Sequence, residues 1–169
     1  LLTRNQIVRD HYRDRFGHIL VDEFQDTNRL QYKWLKLLSG HGSGEQRAAI
    51  FAVGDDDQSI YAFRGAYAGN MQAFEQDFSI SGVIKLEQNY RSQGNILDAA
   101  NAVIQHNGGR LGKNLWTDEG EGEPVRTYCA FTDRDEAAFI VDEIKALHAE
   151  GLALSDIALL YRSNAQSRM

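Results

Sequence analysis

The sequence has one cysteine, one proline and no long apolar run among its 169 residues. A single thiol, Cys129, cannot form an intrachain disulfide, which fits a reducing compartment, and we interpret it as a packed strand residue. The longest apolar runs, such as residues 157–161, are strand-sized, whereas a membrane span needs roughly 20 apolar residues. We therefore expect a cytoplasmic protein that does not cross a membrane.

Positive charge is also scarce, since 18 lysines and arginines stand against 24 aspartates and glutamates. Affinity for nucleic-acid phosphates comes chiefly from lysine and arginine, so the net charge of −6 does not by itself predict DNA binding. Much of the acidity lies in one Gly/Glu-rich turn, residues 118–123, and the average therefore conceals local sites. A hydrophobic content of 43% is enough for one domain, or two small ones, with a real core.

Apolar runs that end in polar clusters organise the first half of the chain. Residues 18–21 form such a run and are followed at once by Asp22 and Glu23, as in a buried strand that delivers carboxylates at its end. A second run, residues 48–53, precedes the polar cluster 54–58, and residues 83–86 predict a third strand. Open α/β sheets bind ligands at the carboxyl ends of their strands, so these clusters are candidate sites.

Helices are predicted between these strands. The first has Asp26 or Thr27 as its N-cap and Gly40 just past its end. Its apolar stripe consists of Leu30, Trp34, Leu37 and Leu38. Residues 66–78 predict the second helix. Alternating strands and helices imply an α/β fold with a parallel sheet.

The pattern restarts beyond Tyr90. Residues 96–104 predict a helix, and residues 125–131 a strand. Asp133 and Glu136 resemble a capping box that opens a further helix, which is followed by a strand at residues 157–161. We place a domain boundary between residues 89 and 90.

The acidic pair Asp22 and Glu23 is what a nucleotide hydrolase requires. One carboxylate holds Mg²⁺, directly or through water, and its neighbour orients and deprotonates the attacking water. Acidic pairs at strand ends are more often solvated turns, so the pair alone is weak evidence. Its position between an apolar strand and a helix is the setting that such a carboxylate pair needs.

Three further clusters combine polar and aromatic residues. Residues 54–66 place Gln58 close to aromatic and basic side chains, namely Tyr61, Phe63 and Arg64, which is a combination suited to a phosphate sensor beside a base-stacking surface. A polar turn with core aromatics is the plainer interpretation. Residues 86–92 bring a ring and a guanidinium together at Tyr90 and Arg91, with a structural role equally open. Residues 159–168, with Arg162 and Asn164, suit phosphate contacts or an ordinary exposed turn.

These strings together resemble the UvrD/Rep-type helicases of superfamily 1. DEFQDT at residues 22–27 resembles motif II, GDDDQSIYAFRGA at 54–66 motif III and LEQNYRS at 86–92 motif IV. The aspartate-rich spelling favours the UvrD/PcrA/Rep branch. The resemblance implies RecA-like P-loop NTPase units: residues 1–89 as the second part of domain 1A, and residues 90–169 as the first part of domain 2A.

The resemblance also implies roles for single residues. Gln58 contacts the γ-phosphate of ATP, while Tyr90 stacks on adenine and Arg91 acts as an arginine finger. The path of single-stranded DNA includes Tyr61, Phe63, Arg64, Arg162 and Asn164. Phe63 stands where many relatives have tryptophan, so an aromatic face is retained.

The implied protein is an ATP-dependent 3′-to-5′ DNA helicase that uses ATP and Mg²⁺ and serves nucleotide excision and mismatch repair. Its partners would be single-stranded DNA, duplex junctions and repair proteins. The first residue is not methionine, and the sequence starts in the middle of the strand–helix pattern, so we expect a fragment. The alternative is a non-catalytic module, derived from a helicase, that binds DNA or a protein partner. A P-loop ATPase that does not act on nucleic acid would leave Tyr61 and Phe63 unexplained.

One departure from the family generates a prediction. No G-x-x-x-x-G-K-[ST] string occurs in the 169 residues, so the backbone cradle and the lysine for the β- and γ-phosphates are missing. We expect the 169-residue chain alone to show no ATP hydrolysis, with or without single-stranded DNA, in a phosphate-release assay. Turnover by this chain would contradict the assignment of the missing contacts.

Overall fold

The structure is a computed structural model that describes residues 1–41 and 48–168. Within those residues, five α-helices and two strands are formed. In chain order they are α1 (Gln6–Arg15), β1 (His18–Val21), α2 (Arg29–Ser39), β2 (Ala49–Ala52), α3 (Gly69–Asp77), α4 (Gly94–Ile104) and α5 (Asp133–Ala149). Two 3₁₀ turns, Phe24–Asp26 and Asp56–Gln58, lie shortly after β1 and β2.

The strands β1 and β2 pair in parallel, with His18 beside Ala49 and Val21 beside Ala52. Parallel pairing requires a crossover connection, and α2 supplies it between the two strands. The carboxyl ends of both strands therefore meet at one edge of the sheet. This pair confirms the predicted α/β class with a parallel sheet.

The main core lies against one face of this sheet. Phe24, Tyr32 and Leu35 are buried together, and Phe24 is only 2% exposed. The ring centroid of Phe24 lies 5.0 Å from that of Phe74 on α3. Burying a phenylalanine side chain contributes about 1.5–3 kcal/mol, so Phe24 anchors the turn after β1 to both helices.

The strands are covered on one face, whereas the sequence predicts burial on both. Ile19 and Val21 pack against the core, but Leu20 on the opposite face is 77% exposed. Phe51 on β2 is likewise 63% exposed. Successive side chains of a strand point to opposite faces, and the core formed with α2 and α3 covers only one of them.

Helix α2 forms where predicted, but its buried stripe is shifted. Tyr32, Leu35 and Leu38 are buried, whereas Leu30 and Trp34 are 75% and 51% exposed. The spacing of apolar residues alone does not decide which face of a helix is buried. In α2, packing of Tyr32 against Phe24 decides it.

The ends of α2 also differ in part from the prediction. The N-cap is Asn28, which forms a capping box with Gln31, rather than Asp26 or Thr27. Gly40 ends the helix in the left-handed conformation, with φ 72°, as predicted.

Three predicted strands are not formed in the described residues. Residues 83–86, 125–131 and 157–161 have no strand assignment, although each is an apolar run. An extended segment becomes a strand only when a neighbour completes its hydrogen-bond ladder, and β1 and β2 pair only with each other. The backbone near residue 85 is held instead by Lys85, whose Nζ donates to the carbonyls of Leu111 and Gly112 at 2.8 and 2.6 Å.

The chain divides into two compact units, Leu1–Gly122 and Glu123–Met169. In the second, α5 begins after the N-cap Thr132, whose side chain accepts from the Asp135 amide, so the predicted capping box of Asp133 and Glu136 is wrong by one residue. The ring of Tyr128 stacks on Phe139 of this helix at 3.9 Å. Cys129, predicted to be packed in a strand, is exposed, since the segment before α5 is not part of a sheet.

A charged network between α2 and α3 makes the free energy of unfolding depend on pH. The Lys36 ammonium and the Tyr32 hydroxyl both donate to Asp77 Oδ2 at 2.7 Å, and these hydrogen bonds hold the pKa of Asp77 below its usual value of 3.8. Burial and the hydrogen bond to Asp77 raise the pKa of Tyr32.

We expect Asp77→Asn to destabilise the protein near neutral pH but not at strongly acidic pH. A carboxylate with a lowered pKa in the folded state contributes stability above its unfolded pKa, and this contribution is lost as the pH falls through the folded pKa. Urea unfolding of both proteins between about pH 7 and pH 2 measures the difference. A difference that persists unchanged at the acidic end would contradict this role of Asp77.

Candidate functional site

The acidic pair lies where β1 ends, as the sequence predicts. Asp22 and Glu23 are both exposed, and Asp22 Oδ1 accepts a hydrogen bond from the Glu23 amide at 2.9 Å. Glu23 has φ 48° and ψ 47°, a left-handed conformation that costs a residue with a side chain about 1–3 kcal/mol. Strain of this kind persists only where the surroundings fix it.

The buried side chain of Gln25 fixes the position of Glu23. Its Nε2 donates to Glu23 Oε2 at 2.7 Å, and its Oε1 accepts from the Asp55 amide at 2.9 Å. The turn after β1 is thereby joined to the turn after β2. A Cβ added at Gly54 would lie 2.8 Å from Gln25 Oε1, so the two turns approach closely only because residue 54 is glycine.

Gln58 lies on the second of these turns. Its Nε2 donates to Asp55 Oδ2 at 2.8 Å, and its amide donates to the Asp55 carbonyl at 3.0 Å. An open cleft of about 400 Å³ is lined by Glu23, Gln25, Asp26, Asp57, Gln58, Ile60 and Tyr61. The structure therefore brings Glu23, Gln58 and Tyr61 to one cleft at the carboxyl ends of both strands. Asp22 lies beside it in sequence but does not line it.

The three consecutive aspartates after β2 are all bound by one later segment. Arg110 makes a two-pronged contact with Asp57, from Nε to Oδ1 at 2.7 Å and from Nη2 to Oδ2 at 2.6 Å. Lys113 pairs with Asp55 Oδ1, and the Leu111 amide donates to Asp56 Oδ2 at 2.7 Å. Residues 110–113 thus offset two of the three negative charges and give the third carboxylate a hydrogen bond, which reduces the repulsion within the cluster.

The pKa values follow from these contacts. Burial raises the pKa of Asp55, but hydrogen bonds from Lys113 and Gln58 outweigh burial and leave that pKa below its usual range. The hydrogen bonds to Asp57 raise the pKa of Arg110 above its usual range. Ligand oxygens of the three aspartates lie within 4.8 Å of one another, yet each carboxylate already has a protein partner. Their geometry therefore reflects ion pairing rather than a metal site.

The aromatic residues of the predicted motif III lie side by side, with Phe63 exposed and Tyr61 partly buried. The ring centroids of Tyr61 and Phe63 lie 6.0 Å apart, and the Arg64 guanidinium lies 4.6 Å and 5.4 Å from these two rings. Phe63 is 78% exposed, which contradicts the plainer interpretation of core aromatics at this position. Rings and a guanidinium presented to solvent can stack on nucleic-acid bases.

Tyr90 and Arg91 also lie in the first unit, but neither lines the cleft. Tyr90 is 79% exposed, and its hydroxyl donates to Gln88 Oε1 at 2.8 Å. The Arg91 and Ser92 amides donate to the Asn89 side chain at 2.9 Å and 2.7 Å, which fixes the backbone of this turn. Both side chains are presented to solvent.

Arg162 and Asn164 belong to the second unit and are exposed. The Asn164 carbonyl accepts from the Ser167 hydroxyl at 2.8 Å, within the short turn at the end of the described chain. Neither side chain lines a described cavity.

Sequence reasoning missed three residues that hold the two turns in place, of which only Gln25 lines the cleft. Gln25 received no role although it lies inside the DEFQDT string, and Arg110 and Lys113 were not linked to the aspartates. The opposite charges were visible signals, but a pairing across 53 residues cannot be read from spacing. A buried glutamine in a turn is likewise recognised only from its burial.

Comparison with known proteins identifies the family. Residues 1–79 match the UvrD/REP helicase N-terminal domain, and residues 84–169 match the UvrD-like helicase C-terminal domain. The chain belongs to the UvrD/Rep helicase family. Membership confirms the predicted resemblance and implies that the α/β units are RecA-like.

Named relatives support the UvrD/PcrA/Rep branch. The chain is 56% identical over 162 residues to DNA helicase II of Escherichia coli K12, and 50% identical over 167 residues to ATP-dependent DNA helicase UvrD1 of Mycobacterium leprae. It is 47% identical over 160 residues to ATP-dependent DNA helicase PcrA of Staphylococcus epidermidis. These alignments cover 95–96% of the chain but only 21–22% of each relative.

Among the described residues of this UvrD/Rep family chain, no helix combines the length and the apolar character that a bilayer-spanning segment requires.

The ion pair between Asp57 and Arg110 gives a prediction about stability. We expect Asp57→Asn and Arg110→Gln each to lower the urea midpoint of unfolding, because either change leaves a partly buried charge without its partner. We expect the double variant to be less destabilised than the sum of the two, since the pair is lost only once. Additive effects would show that the contact contributes nothing to stability.

Proposed function

We propose that this chain is part of an ATP-dependent DNA helicase and supplies half of its nucleotide site. The observation that carries the proposal is the cleft that joins Glu23 and Gln58 at the carboxyl ends of two parallel strands. A carboxylate and an amide at this edge of a RecA-like sheet suit water activation and phosphate recognition. The relatives named as ATP-dependent DNA helicases support the same assignment.

The acidic pair has the oxygen donors that a divalent metal and an attacking water require. Asp22 offers an exposed carboxylate at the strand end and is the proposed ligand of Mg²⁺. Bound Mg²⁺ would neutralise charge on the phosphate oxygens of ATP. Glu23 accepts a proton from water as the water oxygen bonds to the γ-phosphorus and the bond to ADP breaks. Gln58 donates its amide hydrogens to a γ-phosphate oxygen.

Tyr90 and Arg91 are proposed to bind ATP from the second domain of the motor. The 79% exposure of Tyr90 leaves its ring free to stack on adenine. Arg91 would act as an arginine finger that reaches the γ-phosphate when the two domains close. The hydrogen bonds that the Asn89 side chain accepts from the Arg91 and Ser92 amides preset the backbone of this turn for both roles.

The surface formed by Tyr61, Phe63 and Arg64 is proposed to bind single-stranded DNA. Stacking on such rings contributes about 1–3 kcal/mol per base without sequence preference. Arg162 and Asn164 are proposed to contact the phosphates and sugars of the strand.

The domain division is proposed at residues 89 and 90, with domain 1A before it and domain 2A after it. The two family matches, which end at residue 79 and begin at residue 84, support a division in this region.

We further propose that the whole protein moves 3′ to 5′ along DNA and acts at duplex junctions. It would serve nucleotide excision and mismatch repair together with repair-protein partners. A cytoplasmic location belongs to the same proposal.

A non-catalytic DNA-binding module is the second candidate, and the exposed ring of Phe63 favours it as much as a helicase. The two differ in what the nucleotide cleft does. A module would bind single-stranded DNA without ATP turnover, whereas a motor would hydrolyse ATP faster when DNA is bound.

We expect Glu23→Gln in the full-length protein to lower DNA-stimulated kcat for ATP about 10²- to 10⁴-fold, with a similar KM, because the general base is lost. The measurement is steady-state phosphate release with single-stranded DNA. Glu75→Gln is the matched control, since Glu75 lies on α3 and does not line the cleft. If Glu23→Gln turns over ATP like the wild type, Glu23 is not the base. A wild type that binds DNA without hydrolysing ATP would favour the binding module.

A further inference from the structure

Gln25 is the most deeply buried polar side chain at the cleft, at 2% exposure. A buried amide must find partners for both its donor and its acceptor, or it costs about 1–3 kcal/mol. Gln25 finds them on two different turns, at Glu23 Oε2 and at the Asp55 amide.

These two partners determine which way the amide group faces. The Asp55 backbone N–H can only donate, so the atom that faces it must be the carbonyl oxygen of Gln25. The NH₂ group consequently faces Glu23, whose carboxylate can only accept. No rotation of the amide exchanges these contacts without placing two donors or two acceptors together.

The neighbouring backbone leaves Gln25 little room to move. A Cβ at Gly54 would lie 2.8 Å from the side-chain oxygen Oε1 of Gln25 and 3.3 Å from the backbone nitrogen of Gln25. The Phe24 amide donates to the Val53 carbonyl at 2.9 Å, which binds the two turns together beside the glutamine. The side chain therefore occupies a closely fitted site between the two turns.

We infer that Gln25 is a positioning residue for ATP hydrolysis, which holds the Glu23 carboxylate at the cleft and couples its position to the turn that carries Gln58. This inference rests on the proposed function of Glu23. Gln25 does not touch ATP in the proposal, and it acts only through Glu23 and Asp55.

The consequence for catalysis is that the two carboxylate oxygens of Glu23 have different roles. Oε2 is committed to the Gln25 NH₂ group, so Oε1 is the atom that accepts the proton of the attacking water. Because Asp55 Oδ2 also accepts from Gln58 Nε2, a continuous chain of hydrogen bonds links the base to the proposed phosphate sensor. A shift of the second turn therefore moves the base.

Two substitutions in the full-length protein test the inference. Gln25→Glu keeps an acceptor for the Asp55 amide but places an oxygen against Glu23, whereas Gln25→Met fills the space and keeps neither hydrogen bond. We expect both to lower DNA-stimulated kcat about tenfold to hundredfold with little change in KM for ATP, because a base displaced by about 1 Å costs that much.

The split between kcat and KM separates positioning from a structural role. A displaced base lowers kcat alone, whereas a general disturbance of the cleft also weakens ATP binding and raises KM. We therefore expect Gln25→Glu to keep the wild-type KM for ATP while its kcat falls. Gln6→Glu, which adds the same charge at the exposed start of α1, is the control and should match the wild type in both kcat and KM.

Gln25→Glu is the more informative of the two variants, because it retains the contact to the second turn. A loss that comes from a raised KM with unchanged kcat, or wild-type turnover by this variant while Glu23→Gln is inactive, overturns the positioning role and leaves the proposed function intact. Wild-type turnover by Glu23→Gln instead refutes the proposed function, and the role of Gln25 falls with it.

Discussion

The parallel pairing of β1 and β2 is the constraint on which the candidate site depends. The ladder continues past the last paired residues, because the Val53 amide donates to the Val21 carbonyl at 2.8 Å and the Phe24 amide to the Val53 carbonyl at 2.9 Å. These two bonds place the turn with Glu23 beside the turn with Gln58. A slip of one residue would turn each side chain of β2 to the other face and separate the acidic pair from its partners.

The second turn depends on positive charges from another part of the chain, because it carries three adjacent negative charges. Hydrogen bonds within the turn, such as Asp57 amide to Asp55 Oδ1 at 3.0 Å, shape the backbone but leave the charge unbalanced. Arg110 and Lys113 offset two of the three charges, and both lie in the part of the chain that matches the helicase C-terminal domain. The conformation of a loop in one family domain is thus stabilised by residues of the other.

Local patterns predicted the strands that end at the site and failed where a distant partner decides the outcome. An apolar run followed by carboxylates suffices to predict β1 and Asp22 with Glu23 at its end, since both signals are local. Residues 83–86 carry an equally strong apolar signal, but no strand lies beside them in the described chain. Tyr32 and Trp34 show the same limit in a helix, because packing rather than period selects the buried face.

Asp55 is the point at which these constraints converge. Its amide binds Gln25, its Oδ1 pairs with Lys113, and its Oδ2 accepts from Gln58. The Gln58 NH₂ group has two hydrogens, so one can be donated to a γ-phosphate oxygen, as proposed, while the other keeps the bond to Asp55 Oδ2. A single residue, Asp55, would thereby connect to Gln58 and Lys113 through its carboxylate and to the base through its backbone amide and Gln25. The acidic residues after β2 are then explained by the hydrogen bonds and ion pairs that hold the loop, and no metal ion is needed to explain them.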